Sequence, residues 1–236
     1  MLRVGYAREL PKGMRRDRSI RSANAHAEKD PEMRTLIIDA YNLGRNHGYW
    51  LDHLRLRREI FVDRLGWELP CTDELEFDCF DTPAAHYVLT IDDDDRVCAV
   101  SRLLPTTVRY MIEELWPDWP YDGCPHSMKV WEASRFGCSA HLTHAQRQEA
   151  IRVLFREIYT FGQDHGIESY MMVMPKFIFE RLIRPNGYCV EYIGDSRKID
   201  GVLTCLGKVS IKADRAADPE LLLPEMRQYD TPARTA

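Results

Sequence analysis

Two arginines stand where a fold calls for aliphatic side chains, and that conflict constrains the chain more than its composition does. On a helical projection Trp50, Leu54, Arg57, Phe61 and Leu65 share one face at steps of three and four, so Arg57 interrupts an apolar stripe. In the strand pattern leading into SRLLPTT (101–107), Arg102 alternates with Cys98, Val100 and Leu104 and lies among apolar neighbours as well. Burying an unpaired charge costs roughly several kcal/mol, so a fold that encloses both arginines must bring carboxylates to them. The candidates are Glu76, Asp78 and Asp81 in the segment LEFDCFD, and Glu132 in VWEASRF (130–136). A helix, a strand and an acidic loop are therefore obliged to meet. Such a set is either a satisfied ion-pair network that only holds the fold or the lining of a cleft for a zwitterionic ligand. Two arginines on separate elements, joined by the acids of a loop and of the SRF strand, favour the cleft.

From Arg34 onward the patterning predicts a strand (35–39), a helix (46–65), an irregular acidic loop (66–83), a hairpin (86–91 and 97–104) turning at DDDDR, and a short helix. A strand, a long helix (144–165), a strand (169–174), a helix (176–184) and two closing strands (188–193 and 202–211) follow. Thr143 and Gln146 make a capping box for the long helix; Ile151, Leu154, Phe155, Ile158 and Phe161 form its core face, and Gly166 ends it. The fold class is α/β (α+β). A loop as long as 66–83 inside a compact domain is functional or disordered.

Residues 1–32 hold eight Lys or Arg against five Asp or Glu and lack periodicity, so they read as a disordered basic extension. Met33, which opens MRTLIIDAYN, is then an alternative start. Residues 33–213 form one domain, and 214–236, with Pro224 and Pro232, read as a short helix and a tail.

Composition removes several function classes. With 236 residues and 44% apolar content the chain can build one sizeable core. No apolar run is long enough to span a bilayer and no secretory h-region is present, so a cytoplasmic protein without a membrane partner is expected. The seven cysteines include no CxxC pair, which argues against a disulfide framework or a zinc knuckle; they are expected to be buried, reduced thiols. His141 and His144 in HLTH lack a third ligand and read as a loop and a helix start, so no metal site is expected. The acidic tetrad Asp92–Asp95 lacks EF-hand spacing and reads as a solvated turn. The net charge of −5 is not gathered into a basic, aromatic-interleaved surface, and nucleic acid is not expected as a partner.

Four segments taken in order, LRxxIFVxRLGW, ExDxFD, SRLLPTT and WEASRF, resemble the acyl-homoserine-lactone synthases of the LuxI type, over roughly residues 33–211. The resemblance implies a GNAT-like three-layer fold, a mixed central sheet flanked by helices. It implies an acyltransferase that uses S-adenosylmethionine as acyl acceptor and substrate, with no further cofactor, and an acyl thioester as donor. Its products are quorum-sensing signals, and methylthioadenosine is released. By motif match, Phe61 and Trp67 line the adenosylmethionine pocket, and Arg57, Asp78, Asp81, Arg102, Glu132 and Arg135 make the charged network around it. Phe136 is grouped with the same substrate site, and Glu132, Arg135, Asp78 and Arg102 with catalysis. Without the resemblance, core packing is the favoured reading of Phe61 and Trp67.

The chemistry explains those residue types. A sulfonium, an ammonium and a carboxylate on one ligand call for an arginine, acids and aromatic faces. Attack by a protonated amine calls for a base, for which Glu132 is the candidate. Strand alternation puts Glu132 and Arg135 on opposite faces, so a bulge is expected between them. Met171, Met172 and Met174 either line an acyl channel or pack as core. For the donor, the segment FGCSAHLTHAQ lacks the R/Q-x-x-G-x-G/A pyrophosphate loop of GNAT enzymes, which favours acyl carrier protein over acyl-CoA. A carrier protein is acidic, and Arg147, Arg152, Arg181, Arg184, Lys198 and Lys208 could contribute a basic surface for it. The alternative is a GNAT-like N-acyltransferase using acyl-CoA on another amine.

Overall fold

Two nearly fully buried strands set the centre of the fold. HYVLTI, His86–Ile91, and VCAVSRLLP, Val97–Pro105, are rich in β-branched and aliphatic residues and pair antiparallel across the acidic turn. The computed structural model describes residues 33–211; the expectations for residues 1–32 and 214–236 lie outside the described residues. In chain order the elements begin with β1 (Arg34–Ile38) and α1 (His47–Arg57), which is led by a 3-10 turn at Leu43–Asn46 and extended by a π-helical segment at Arg58–Arg64. The hairpin strands are β2 and β3. They are followed by α2 (Met111–Leu115), β4 (Val130–Cys138), α3 (His144–Asp164), β5 (Ser169–Pro175) and α4 (Lys176–Ile178, continued by a π-helical turn at Phe179–Ile183). The closing strands are β6 (Val190–Tyr192), β7 (Arg197–Ile199) and β8 (Val202–Ser210).

The strands form one mixed sheet in the order β1-β2-β3-β4-β5-β8-β6, with β7 also on β8. The β4–β5 pair is parallel and every other pair antiparallel. A parallel pair needs a long crossover, which α3 supplies. The join is short: Val130, Trp131 and Glu132 face Ser169, Tyr170 and Met171, and no later pair between these strands is registered among the described residues. On one face Ile151, Leu154, Phe155 and Ile158 of α3 pack with Ala99, Leu103, Ala133 and Met172; on the other Leu56, Ile60 and Phe61 pack with Tyr87, Val100, Leu104 and Met171. Each such aliphatic or aromatic side chain contributes about 1.5–3 kcal/mol when fully buried, so each helical layer is held chiefly by its own apolar face. The mixed sheet between helical layers is the architecture expected from the sequence.

Local signals and tertiary context divide the remaining credit. The capping box is present, with Gln146 N donating to Thr143 Oγ1 at 3.3 Å and Thr143 N to Gln146 Oε1 at 2.9 Å, and Gly166 ends α3 at φ +65°. The first helix departs from expectation. After Arg57 its hydrogen bonds lengthen to the i→i+5 kind, as in Leu65 N to Ile60 O at 3.1 Å. The wider turn rotates Leu65 off the apolar stripe, leaving it 42% exposed. Three closing strands replace the expected two, because β7 has only three residues and no period to read. Cys98, Cys138 and Cys205 are buried, but Cys71, Cys79 and Cys189 are exposed, so the expected burial of all seven thiols does not hold. Phe179 covers Gly207 of β8 so closely that a Cβ there would lie 2.5 Å from the ring. Among the described residues, no helix is long and apolar enough to cross a membrane.

Candidate active site

The conflict posed by the two arginines is resolved by the acidic loop. Arg57, fully buried on α1, donates from Nε to Glu76 Oε2 at 2.5 Å and in two-pronged fashion to Asp81, at 2.7 and 3.0 Å. Arg102, fully buried on β3, donates from Nη1 to Asp78 Oδ1 at 2.6 Å and to Asp81 Oδ1 at 3.0 Å, and from Nε to Ser134 Oγ at 3.2 Å. Arg135 completes the set from β4, reaching Asp78 Oδ2 at 2.6 Å and Glu76 Oε1 at 3.1 Å. The loop closes on itself through Asp78 N to Asp81 Oδ2 at 2.7 Å, and Tyr87 donates its hydroxyl to Asp81 at 3.0 Å. Desolvation opposes ionisation of Asp81, but the guanidiniums of Arg57 and Arg102 outweigh it and hold the carboxyl well below the usual range.

Arg135 reaches this face only because β4 is irregular. Two steps along β3, from Val100 to Arg102, match three along β4, from Gly137 to Ser134. Within that extra step Arg135 adopts a left-handed backbone, φ +53°. A bulge of this kind adds one residue and turns the strand, so Ser134 and Arg135 both face α1. The same extra residue sends Phe136 to the opposite face, where it stacks on Phe155 of α3 with centroids 4.8 Å apart. Phe136 is thus not gathered with the charged residues, contrary to expectation.

Aromatic residues cover the network. Phe61, carried on the π-helical segment, stacks on Trp67 at 5.1 Å, and the Arg135 guanidinium lies over the Phe61 ring at 5.5 Å. Trp67 remains 40% exposed while Phe61 is buried, so one side of the stack is open to solvent. Phe80 lies under the Arg102 guanidinium at 5.7 Å.

Glu132 makes no ion pair among the described residues, although the charges of Arg102 and Arg135 act on it. Its Oε2 accepts from Ile112 N at 2.8 Å, at the head of α2, while Oε1 has no hydrogen-bond partner among the described residues. Burial pushes this carboxyl upward; the Ile112 N–H, Arg102, Ser134 and Arg135 offset that only in part. Arg102 Nη2 is likewise buried without a partner among the described residues. Glu132 and Ser134 are two residues apart on the same face of β4, and Ser134 pairs with Arg102. One unused acceptor and one unused donor therefore flank an otherwise saturated cluster. Glu76, which sequence reasoning weighed only as a partner, binds both Arg57 and Arg135 and is central.

The three methionines do not form one wall. With a side-chain period of two, Met171 faces the α1 side while Met172 and Met174 face α3. Met172 borders a small apolar cavity with Phe155, Tyr159, Tyr170 and Tyr188. At the entry to α3, Glu59 of the π-helical segment accepts from Ala140 N at 2.8 Å and from Ser139 Oγ at 3.2 Å. Arg152 and Arg184, taken as basic surface, pair with Glu149 and Glu180.

A family model described as "Autoinducer synthase" matches residues 40–218. An acyl-homoserine-lactone synthase from Aeromonas salmonicida is 34% identical over 150 residues, covering 62% of this chain and 72% of that protein. One from Acinetobacter nosocomialis is 31% identical over 180 residues, covering 72% of this chain and 97% of its own. Among solved structures, that of a CoA-dependent acyl-homoserine lactone synthase, BjaI, with SAM and isopentyl-CoA, superposes with a TM-score of 0.72 at 26% identity, covering 85% of this chain and 94% of BjaI.

Proposed function

The chain belongs to the autoinducer synthase family, and from that premise we propose that it joins the acyl group of a carrier-protein thioester to S-adenosylmethionine and closes the product to an N-acyl-L-homoserine lactone. The observation that carries the site assignment is the pair of unused groups, Glu132 Oε1 and Arg102 Nη2. An amino-acid head presents an ammonium that Glu132 can accept and a carboxylate that Arg102 can bind, each desolvated and each in need of a partner. The open side of the Phe61–Trp67 stack offers an aromatic face to the sulfonium.

In the first step the amine nitrogen attacks the thioester carbonyl, the C–N bond forms, the C–S bond breaks and the thiol leaves. Glu132 takes the proton that the ammonium must lose; its elevated pKa brings it nearer to that of an amine than an ordinary carboxylate would be. Arg135 and Asp78 hold the charged wall, and backbone N–H groups at the bulge are the proposed donors to the oxyanion. In the second step a carboxylate oxygen attacks the carbon bonded to sulfur, the C–O bond forms and methylthioadenosine departs as a neutral thioether. Arg102 orients that carboxylate, and positioning supplies most of the acceleration because the sulfonium is already an activated leaving group. The acyl tail is received on the α3 face by Phe136, Met172 and Met174, whereas Met171 stays with the acceptor side.

The donor named for BjaI is a coenzyme A thioester; the carrier-protein donor proposed here rests on the loop before α3, whose Ala140 N–H is already taken by Glu59. Incubation of the purified protein with S-adenosylmethionine and thioesters of one acyl group, followed by mass spectrometry, tests the reading. Lactone and methylthioadenosine in equal amounts are expected. An acylated amine without methylthioadenosine would instead establish the simple N-acyltransferase.

A further inference from the structure

A strand that runs into a long helix ends at backbone N–H groups and a positive dipole, a place where phosphates are commonly held. Here β4 runs into α3 in this way, directly beyond the bulge that bears Arg135; if the donor arm of the reaction proposed above leaves the thioester along β4, its phosphates approach that turn. The turn is occupied from within. Glu59 takes Ala140 N at 2.8 Å and the Ser139 hydroxyl at 3.2 Å, His141 N donates to Ser139 Oγ at 3.3 Å, and the capping box uses Thr143 N and Gln146 N.

Beside it lies a groove whose charged lining is Asp52, Arg55, Glu59, Asp92 and Arg96. Its two cations are already engaged: Arg55 pairs with Asp52 at 2.8 Å, and Arg96 with Asp92 at 3.2 Å and Asp94 at 2.5 Å. The cations on the other side of the turn, Arg64 and Arg147, donate to the Cys138 and Leu142 carbonyls at 3.0 and 3.4 Å. Glu59 is thus the carboxylate without an ion-pair partner among the described residues that stands directly at the helix entry.

We infer that Glu59 is a specificity-determining residue, one that discriminates against coenzyme A thioesters in favour of donors with fewer phosphates. A carrier protein's arm brings a single phosphodiester, whereas coenzyme A brings a diphosphate and a 3′-phosphate into an acidic groove. The inference rests on the reaction proposed above and adds the residue that sets its donor. Removing one charge at this range is worth on the order of tenfold in relative rate.

The test compares kcat/KM for acyl-CoA with that for the same acyl group on uncharged pantetheine, in the wild type and in Glu59→Gln, whose amide oxygen can still accept from Ala140 N. The wild type should prefer acyl-pantetheine, and the substitution should raise the acyl-CoA to acyl-pantetheine ratio about tenfold with acyl-pantetheine itself unchanged. In the wild type alone, raising the salt concentration should lift the same ratio, which keeps the inference testable if the variant fails to fold. A ratio that does not move with either salt or substitution, or a wild type that prefers acyl-CoA, overturns the role of Glu59. Absence of lactone from every donor would overturn the underlying reaction instead.

Discussion

Glu132 and Arg135 stand three positions apart on β4, and their roles are set by opposite environments. Arg135 is saturated by Glu76 and Asp78, whereas Glu132 has one oxygen on Ile112 N and one unused. Glu132→Gln keeps an oxygen for Ile112 N and removes only the proton acceptor. It should bind S-adenosylmethionine more weakly, because the ammonium loses its counter-charge, and at saturating S-adenosylmethionine it should still lose at least about 100-fold in acylation rate, measured by single-turnover product formation. Because burial raises the carboxyl's pKa, the wild-type rate should still climb with pH where an ordinary glutamate is fully ionised, and the variant should lack that limb. Much of this cluster was legible in the sequence, since a buried arginine demands acids and LEFDCFD supplied them. Phe136 was misplaced for a physical reason: the bulge inserts one residue, and every side chain beyond it changes face.

At the scale of elements, the long helix could be read almost to its ends because its cap, apolar face and terminal glycine are all local signals. The π-helical segment could not. It is held by contacts distant in sequence: Glu59 on the turn before α3, Arg64 on the Cys138 carbonyl, and Ile60 packed against Gly137. The methionines of β5 show the reverse case, in which a period of two was plainly present and had only to be applied. Sheet and helix meet most tightly at Gly207, where Phe179 occupies the space of a side chain. Gly207→Ala should therefore displace the ring and destabilise the fold by about 1–3 kcal/mol, as read from urea unfolding midpoints.

For the whole molecule, the buried polar groups determine how stability responds to acid. Desolvation, aided by the Arg57 charge, depresses the His53 pKa from 6.5 to about 3, and Asp81 is also depressed. In both cases the unfolded chain binds the proton more readily, so the stability contributed is present above the unfolded pKa and is lost as pH falls toward the folded one. For His53 that window opens near pH 6.5, well before the depressed Asp81 carboxyl titrates, with a slope of up to about 1.4 kcal/mol per pH unit. Glu132 acts in the opposite sense, favouring the fold while protonated and ceasing to do so as pH rises through its elevated pKa. Denaturant unfolding between pH 7 and 4.5 should show the wild type weakening steadily and His53→Leu weakening much less; parallel curves would exclude His53 as the source. The three-residue parallel join of β4 and β5 has a wider consequence. Because the strands share so little pairing, the sheet has a seam, with the charged cluster on one side and the apolar cavity on the other. If the acyl tail lies on the α3 side as proposed, substitutions there should retune which tails are accepted while the charged cluster stays intact, leaving such chains free to diverge in signal without reinventing the chemistry that makes it.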